Sequence, residues 1–90
     1  MKTIWKYQLK AEKNQTLEMP KGAEILTVQL QFGMACVWAI VDPAEKSEPR
    51  TFELIGTGHD FKLKQNYLYI GTFQVDGGIF VFHLFEVLKP

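Results

Sequence analysis

Residues 24–41, Glu-Ile-Leu-Thr-Val-Gln-Leu-Gln-Phe-Gly-Met-Ala-Cys-Val-Trp-Ala-Ile-Val, decide the fold class of this chain. Over 24–32 apolar and polar residues alternate, which is typical of a β-strand with one buried face. Gly33 indicates a chain reversal, and every residue of 34–41 is apolar, which is typical of a strand covered on both faces. The stretch therefore predicts two strands joined by a turn, the second of them central in its sheet.

The same two-residue period extends outward in both directions. It predicts strands over 5–11, 16–20 and 50–56, and the Asp-Gly-Gly of 76–78 predicts a hairpin between runs 67–75 and 79–88. Residues 42–49 predict a polar loop, residues 59–66 an irregular connection, and no amphipathic helix of ten or more residues is found. We therefore predict one all-β domain over 1–90, with about seven strands in a small antiparallel sandwich or open barrel and no long helix.

Composition narrows the possible partners. The 90 residues carry ten Lys plus Arg against ten Asp plus Glu, and 47% of them are hydrophobic. A neutral chain with one arginine lacks the positive charge that duplex nucleic acid or an anionic membrane attracts. The longest apolar run has eight residues, far fewer than the roughly 20 of a membrane-spanning helix. A single cysteine, Cys36, fits a reducing compartment, so we expect a cytoplasmic protein.

One segment, the Gly-Thr-Gly-His-Asp of residues 56–60, has the composition of a ligand site. Glycine backbone can approach a ligand closely, and consecutive N–H groups can form an anion-binding nest. A second Gly-Thr pair follows fifteen residues later, and the two segments would share a groove if their strands were neighbours. The alternative is that these glycines only mark bends in a small sheet. The candidate ligand-binding residues are Gly56, Thr57, Gly58, His59, Asp60, Gly71 and Thr72.

The sequence contains few residues in arrangements suited to catalysis or metal binding. Ser47, the only serine, lies in a charged loop beside carboxylates and away from either histidine, and Cys36 lies in the most apolar strand. No pair of residues shows metal-ligand spacing. We therefore predict no catalytic residue, no metal and no cofactor. An enzyme would need His59 or His83 as a base beside Asp60 or Asp76.

Apolar residues on second strand faces indicate self-association. A chain this small rarely leaves large apolar patches in water, and the run 79–82 would promote aggregation as a bare sheet edge. We expect a homodimer or larger closed oligomer that uses the last strands and the strand of 34–41. The candidate interface residues are Trp38, Ile79, Phe80, Val81, Phe82 and Phe85.

A set of short motifs is spread over nearly the whole chain, at residues 6–9, 19–26, 28–29, 38–43, 56–59, 69–73 and 76–83. Together these motifs resemble a family of small uncharacterised proteins encoded by bacteriophages and prophages. Members of that family often carry Asn-Gly where this chain has Phe32-Gly33. The resemblance implies a phage setting in a bacterial host cell and no established activity.

These observations predict a non-enzymatic domain that acts by binding. The first expectation is a phage-type accessory protein that meets a host protein or defence component, as a homo-oligomer. The alternative is a protein that sequesters a small metabolite or nucleotide in a pocket near Gly56–His59. A small enzyme with a His/Asp pair is the second alternative. A ligand-induced rise in melting temperature would distinguish sequestration from protein binding.

Overall fold

The computed structural model describes residues 1–89 and confirms the all-β class. Its seven strands are arranged in two antiparallel sheets, as a sandwich rather than an open barrel. Within residues 1–89 no helix has the length and hydropathy needed to cross a lipid bilayer. The strands are β1 (Thr3–Gln8), β2 (Asn14–Pro20), β3 (Glu24–Gln31), β4 (Met34–Val41), β5 (Ser47–Gly56), β6 (Tyr67–Val75) and β7 (Phe80–Val87).

The two sheets have the orders β1-β4-β3 and β2-β5-β7-β6. The position of β4 between β1 and β3 confirms that the fully apolar stretch is central in its sheet. The β3–β4 hairpin has the two-residue turn Phe32-Gly33, and the predicted β6–β7 hairpin turns through a 3-10 segment at Asp76–Gly78. Local alternation and turn residues thus predicted both hairpins.

Several predicted strand bounds are wrong, and β1 covers Thr3–Gln8 rather than 5–11. β7 is paired with β6 along its length and with β5 from Phe82 onward, so most of it lies inside its sheet. β5 begins at Ser47 rather than Arg50, because residues 47–49 of the predicted polar loop pair with β2. β2 likewise begins at Asn14 rather than at residue 16. Long-range pairing extended both strands beyond the segments that alternation alone indicated.

The core lies between the sheets and is mostly aliphatic. Its centre is formed by Val37, Ala39 and Val41 of β4 against Phe52 of β5 and Leu84 of β7. Burial of these side chains supplies the main favourable free energy of folding. The whole buried cluster consists of Leu9, Met19, Ala23, Val28, Val37, Ala39, Val41, Phe52, Phe73 and Leu84.

A charged pair lies beside this core, with its carboxylate buried and its arginine half-buried. The Arg50 guanidinium donates from Nε and Nη2 to the two carboxylate oxygens of Glu86, with Nη2–Oε1 at 3.0 Å. Its Nη1 donates to the carbonyl oxygen of Ala23 at 2.8 Å. The hydrogen bond to Glu86 raises the pKa of Arg50 despite the opposing effect of burial. The chain's only arginine therefore joins β5, β7 and the segment before β3.

Candidate functional site

A cavity of about 450 Å³ opens at one end of the sandwich. We call it the end cavity. Its walls come from the β1–β2 connection, the β3–β4 hairpin and the facing strands of the four-stranded sheet. The lining residues are Leu9, Lys10, Ala11, Glu12, Lys13, Gly33, Met34, Ala35, Leu54, Ile55, Gly56, His59, Asp60, Phe73, Val75 and Phe82.

Most of the end cavity's lining is apolar. The rings of Phe73 and Phe82 meet with centroids 5.9 Å apart, and Leu9 and Ala35 belong to or pack against the core. Charged side chains of both signs come from residues 10, 12, 13 and 60. Such a lining suits an apolar group with polar atoms on it, which is the usual character of small-molecule sites.

Gln15 holds the β1–β2 wall of the end cavity in place. Its side-chain oxygen accepts from Lys10 N–H at 2.9 Å, and its nitrogen donates to the carbonyl oxygens of Lys10 and Glu12 at 3.0 and 2.9 Å. The Gln15 side chain is buried. Backbone hydrogen bonds from Leu9 to Ala35 at 2.9 Å and from Leu54 to Lys13 at 2.7 Å fix both ends of the connection. This wall is therefore preorganised.

Gly56 and His59 form the opposite side of the cavity mouth. The His59 N–H donates to the Gly56 carbonyl oxygen at 3.1 Å, closing a turn in which Gly58 has φ of 85°. The His59 ring lies directly over Gly56, where a Cβ would come within 2.9 Å of it. A glycine at position 56 is thus required for the imidazole to lie where it does.

The structure brings some of the predicted ligand-binding residues together and separates others. Gly56, His59 and Asp60 line the end cavity, and Thr57 and Gly58 form the turn between them. Gly71 and Thr72 do not belong to this group. The predicted shared groove is wrong because β7 lies between β5 and β6.

Gly71 has a packing role. It lies at a register shift of β6, where a Cβ would come within 3.0 Å of Val28 Cγ1. The glycine therefore permits β3 and β6 to approach closely, which agrees with the alternative that it marks a bend.

Thr57 and Thr72 meet at His83 on the outer face of the four-stranded sheet. Thr57 Oγ1 lies 2.7 Å from His83 Nε2, and Thr72 Oγ1 lies 2.9 Å from Nδ1. The Tyr69 hydroxyl continues the chain at 2.5 Å from Thr72 Oγ1. Both ring nitrogens of His83 therefore face hydroxyl groups, which compete with any carboxylate for the imidazole.

The enzyme alternative requires a histidine base beside Asp60 or Asp76. Among residues 1–89 neither histidine is hydrogen-bonded to an aspartate. In that same part of the chain, no three His, Cys, Asp or Glu residues come close enough to hold a metal ion. His59 and Asp60 are nevertheless neighbours in the lining of the end cavity.

The candidate interface residues occupy different surfaces rather than one patch. Phe82 lines the end cavity, and Trp38 is half-buried on the other sheet. Phe85 packs on the outer face, 5.5 to 6.1 Å between ring centroids from Tyr69, Tyr67 and Phe61. Ile79 and Phe80 are exposed at the β6–β7 turn, and Val81 is half-buried.

Sequence reasoning did not identify Leu9, Gln15, Ala35 or Phe73 as residues of the site or of its wall. The three apolar residues carry no local signal, because a cavity wall and a core have the same pattern. Gln15 did carry one, since it shares the apolar face of β2 with Leu17 and Met19. A lone amide on such a face indicates a buried group with hydrogen-bond partners.

Comparison with known proteins places the chain in a family. No curated protein and no solved structure matches it. A family model described as a domain of unknown function matches residues 1–90. The chain therefore belongs to the family of the domain of unknown function DUF7352.

Proposed function

We propose that this domain is a non-enzymatic binding module that takes an apolar group into the end cavity. One observation carries the proposal: a mainly apolar cavity of about 450 Å³ opens at the sandwich end that contains Gly56, His59 and Asp60. Ligand sites in proteins usually measure about 300–1,000 Å³. This is the ligand-binding alternative of the sequence analysis, now with an apolar body as the bound group.

The lining favours an apolar body over the phosphates of a nucleotide. Lys10 and Lys13 are the only full positive charges of the lining, and Glu12 and Asp60 oppose them. A phosphate would need an excess of donors or positive charge. A compact apolar group with a neutral or singly charged polar end fits the site better.

The proposed function includes a cellular setting. The resemblance to phage and prophage proteins supports an accessory role in a bacterial host cell. In the cytoplasm of such a cell, the domain would act by sequestering an apolar group of a metabolite or of a protein. Cys36 is a free, buried thiol, which accords with that location.

The first prediction concerns Ala35, which lines the end cavity. Ala35→Phe fills the cavity from its wall, so we expect at least about tenfold weaker binding of anilinonaphthalene sulfonate, the loss that corresponds to 1.4 kcal/mol. Fluorescence titration at low protein concentration measures it. Ala35→Leu, a smaller fill, gives an intermediate loss.

Ala44→Phe is the matched control, because it adds the same ring at an exposed loop position away from the cavity. It binds the probe as the wild type does. Circular dichroism checks that each variant is folded. Equal probe affinity of folded Ala35→Phe and wild type would show that the probe binds elsewhere and overturn the proposal.

A further inference from the structure

Phe32 combines a backbone conformation that is unfavourable for its residue type with an almost fully exposed side chain. It lies in the two-residue turn of the β3–β4 hairpin with φ of 52°, and Gly33 follows with φ of 77°. Asn or Gly suits the first position of such a turn, whereas a bulky residue there is strained. The Phe32 side chain is 96% exposed, so it gains no packing within its own chain. A strained, exposed aromatic residue indicates a contact outside the protomer.

The turn lies at the rim of the end cavity. Gly33 and Met34, the next two residues, both line the cavity. Phe80 is paired with Val75, another lining residue, and it is exposed together with Ile79 beside it. The cavity thus continues outward into exposed apolar side chains, while Phe32 itself is not part of the lining.

We propose that two copies of this chain associate through the cavity ends, with Phe32 of each copy inserted into the end cavity of the other. The proposal rests on the proposed function, because it names the apolar group that the cavity accepts. A phenyl ring fits, since an apolar cavity of about 150 Å³ already holds benzene and this one measures about 450 Å³.

The position of Phe32 suits a two-fold arrangement. In a two-fold dimer the same patch meets itself, so the inserted ring and the cavity that receives it must lie close together on one protomer. Here they are adjacent in sequence, because the cavity lining begins at Gly33. A two-fold axis beside the cavity mouth then places each Phe32 ring in the cavity of the other copy at the same time. A heterologous partner would require no such adjacency.

Charge and area support a second copy as the occupant. The chain has a formal net charge of zero, so two copies do not repel each other. The cavity lining carries Lys10 and Lys13 together with Glu12 and Asp60, which a two-fold axis can bring into opposite-charge contact. A stable interface buries about 1,200–2,000 Å² in total. The contact must therefore include the exposed Met34, Ile79 and Phe80 besides the inserted ring.

The second prediction is that Phe32→Asn abolishes the dimer without harming the fold. Sedimentation equilibrium at micromolar concentration gives a dimer for the wild type. For Phe32→Asn the dissociation constant rises by at least about 30-fold, as for removal of an interface hot spot. Leu63→Asn is the matched control, since Leu63 is exposed but does not line the cavity, and it remains a dimer.

A mixing experiment tests the insertion itself. Phe32→Asn retains the cavity without the ring, and Ala35→Phe retains the ring while its cavity is filled. Neither variant forms the homodimer, but a mixture of the two forms a heterodimer with one insertion, weaker than the wild-type dimer. Native mass spectrometry detects it. A Phe32→Asn protein that dimerises as the wild type does, or a mixture without heterodimer, overturns the proposal.

The outcomes separate this inference from the proposed function. A monomeric wild type that binds the apolar probe in an Ala35-dependent way overturns the dimer and supports the cavity's function. A wild type that neither dimerises nor binds the probe overturns both. If both hold, Phe32→Asn binds the probe more tightly than the wild type, because no second copy competes for its cavity.

Discussion

Arg50 shows how a single charged residue can connect several elements of a small fold. Its side chain is bonded to Glu86 of β7 and to the carbonyl of Ala23, and the Glu86 side chain is only 3% exposed. A buried ion pair adds little stability compared with apolar residues of the same volume. Removing one member of the pair is nevertheless strongly destabilising, because it leaves an unpaired charge in the interior. Sequence analysis could find the lone arginine, but not the carboxylate 36 residues away that pairs with it.

The third prediction follows from this pair. Arg50→Met should lower the free energy of unfolding by about 3–5 kcal/mol, because the Glu86 carboxylate stays buried without its partner. Urea unfolding measures the loss. The double variant with Glu86→Leu should recover most of it, since no charge remains to be buried. A double variant as unstable as Arg50→Met would show that packing, rather than the unpaired charge, causes the loss.

The fourth prediction concerns Tyr67, whose hydroxyl donates to a carboxylate oxygen of the buried Glu53. This hydrogen bond, then burial and the Glu53 charge, raises the pKa of Tyr67 above its ordinary value of 10.0. The stability that this hydrogen bond contributes is therefore fully present as the pH approaches 10 from neutral, and it is lost as the pH rises through the folded-state pKa of Tyr67. The stability difference between wild type and Tyr67→Phe should be constant from neutral pH to about pH 10 and shrink above it.

Urea unfolding of both proteins on either side of pH 10 measures that difference. Tyr7→Phe is a useful comparison, because the pKa of Tyr7 is raised by burial alone. A difference between wild type and Tyr67→Phe that is unchanged across pH 10 would contradict the assigned hydrogen bond.

At the scale of the element, the β3–β4 hairpin combines a predictable strand pair with an unfavourable turn residue. Alternation over 24–32 and Gly33 predicted the hairpin, and the structure confirms it. Nothing local indicated that Phe32 would take positive φ, because the paired strands impose the turn geometry on it. Strand pairing therefore outweighs the preference of one residue.

The fifth prediction is that Phe32→Asn stabilises the monomer by about 1 kcal/mol, because a left-handed backbone suits Asn and is strained for Phe. Urea unfolding at a protein concentration low enough for monomers measures it. Phe32→Leu removes the ring but keeps the strain, so it should bring no such gain. A less stable Phe32→Asn monomer would mean that the ring packs within its own chain.

The order of the strands was the part of the fold that sequence patterns could not supply. Hairpins β3–β4 and β6–β7 depend on neighbouring residues and were predicted. The pairing of β5 with β7, which places β7 inside the sheet, joins segments about 30 residues apart. Because its residues are apolar on both faces, the β7 sequence was equally compatible with an edge covered by a second copy.

At the scale of the whole molecule, the end cavity depends on the arrangement of the two sheets. The Gly-Thr-Gly-His segment was predicted from the sequence as a ligand-binding segment, and the structure places its Gly56 and His59 at one side of the cavity mouth. The apolar walls came from residues that looked like ordinary core, such as Leu9 and Phe73. A cavity between sheets is a property of their separation, which no local pattern encodes.

Amide chemical shifts during titration with anilinonaphthalene sulfonate test the central claim most directly. Phe32→Asn is the protein to use, because no second copy then competes for the cavity. The account predicts saturable shifts at Ala35, Phe73 and Phe82, and none at Thr72 and His83 on the outer face. Shifts confined to the outer face, or no saturable shifts at the cavity residues, would contradict it.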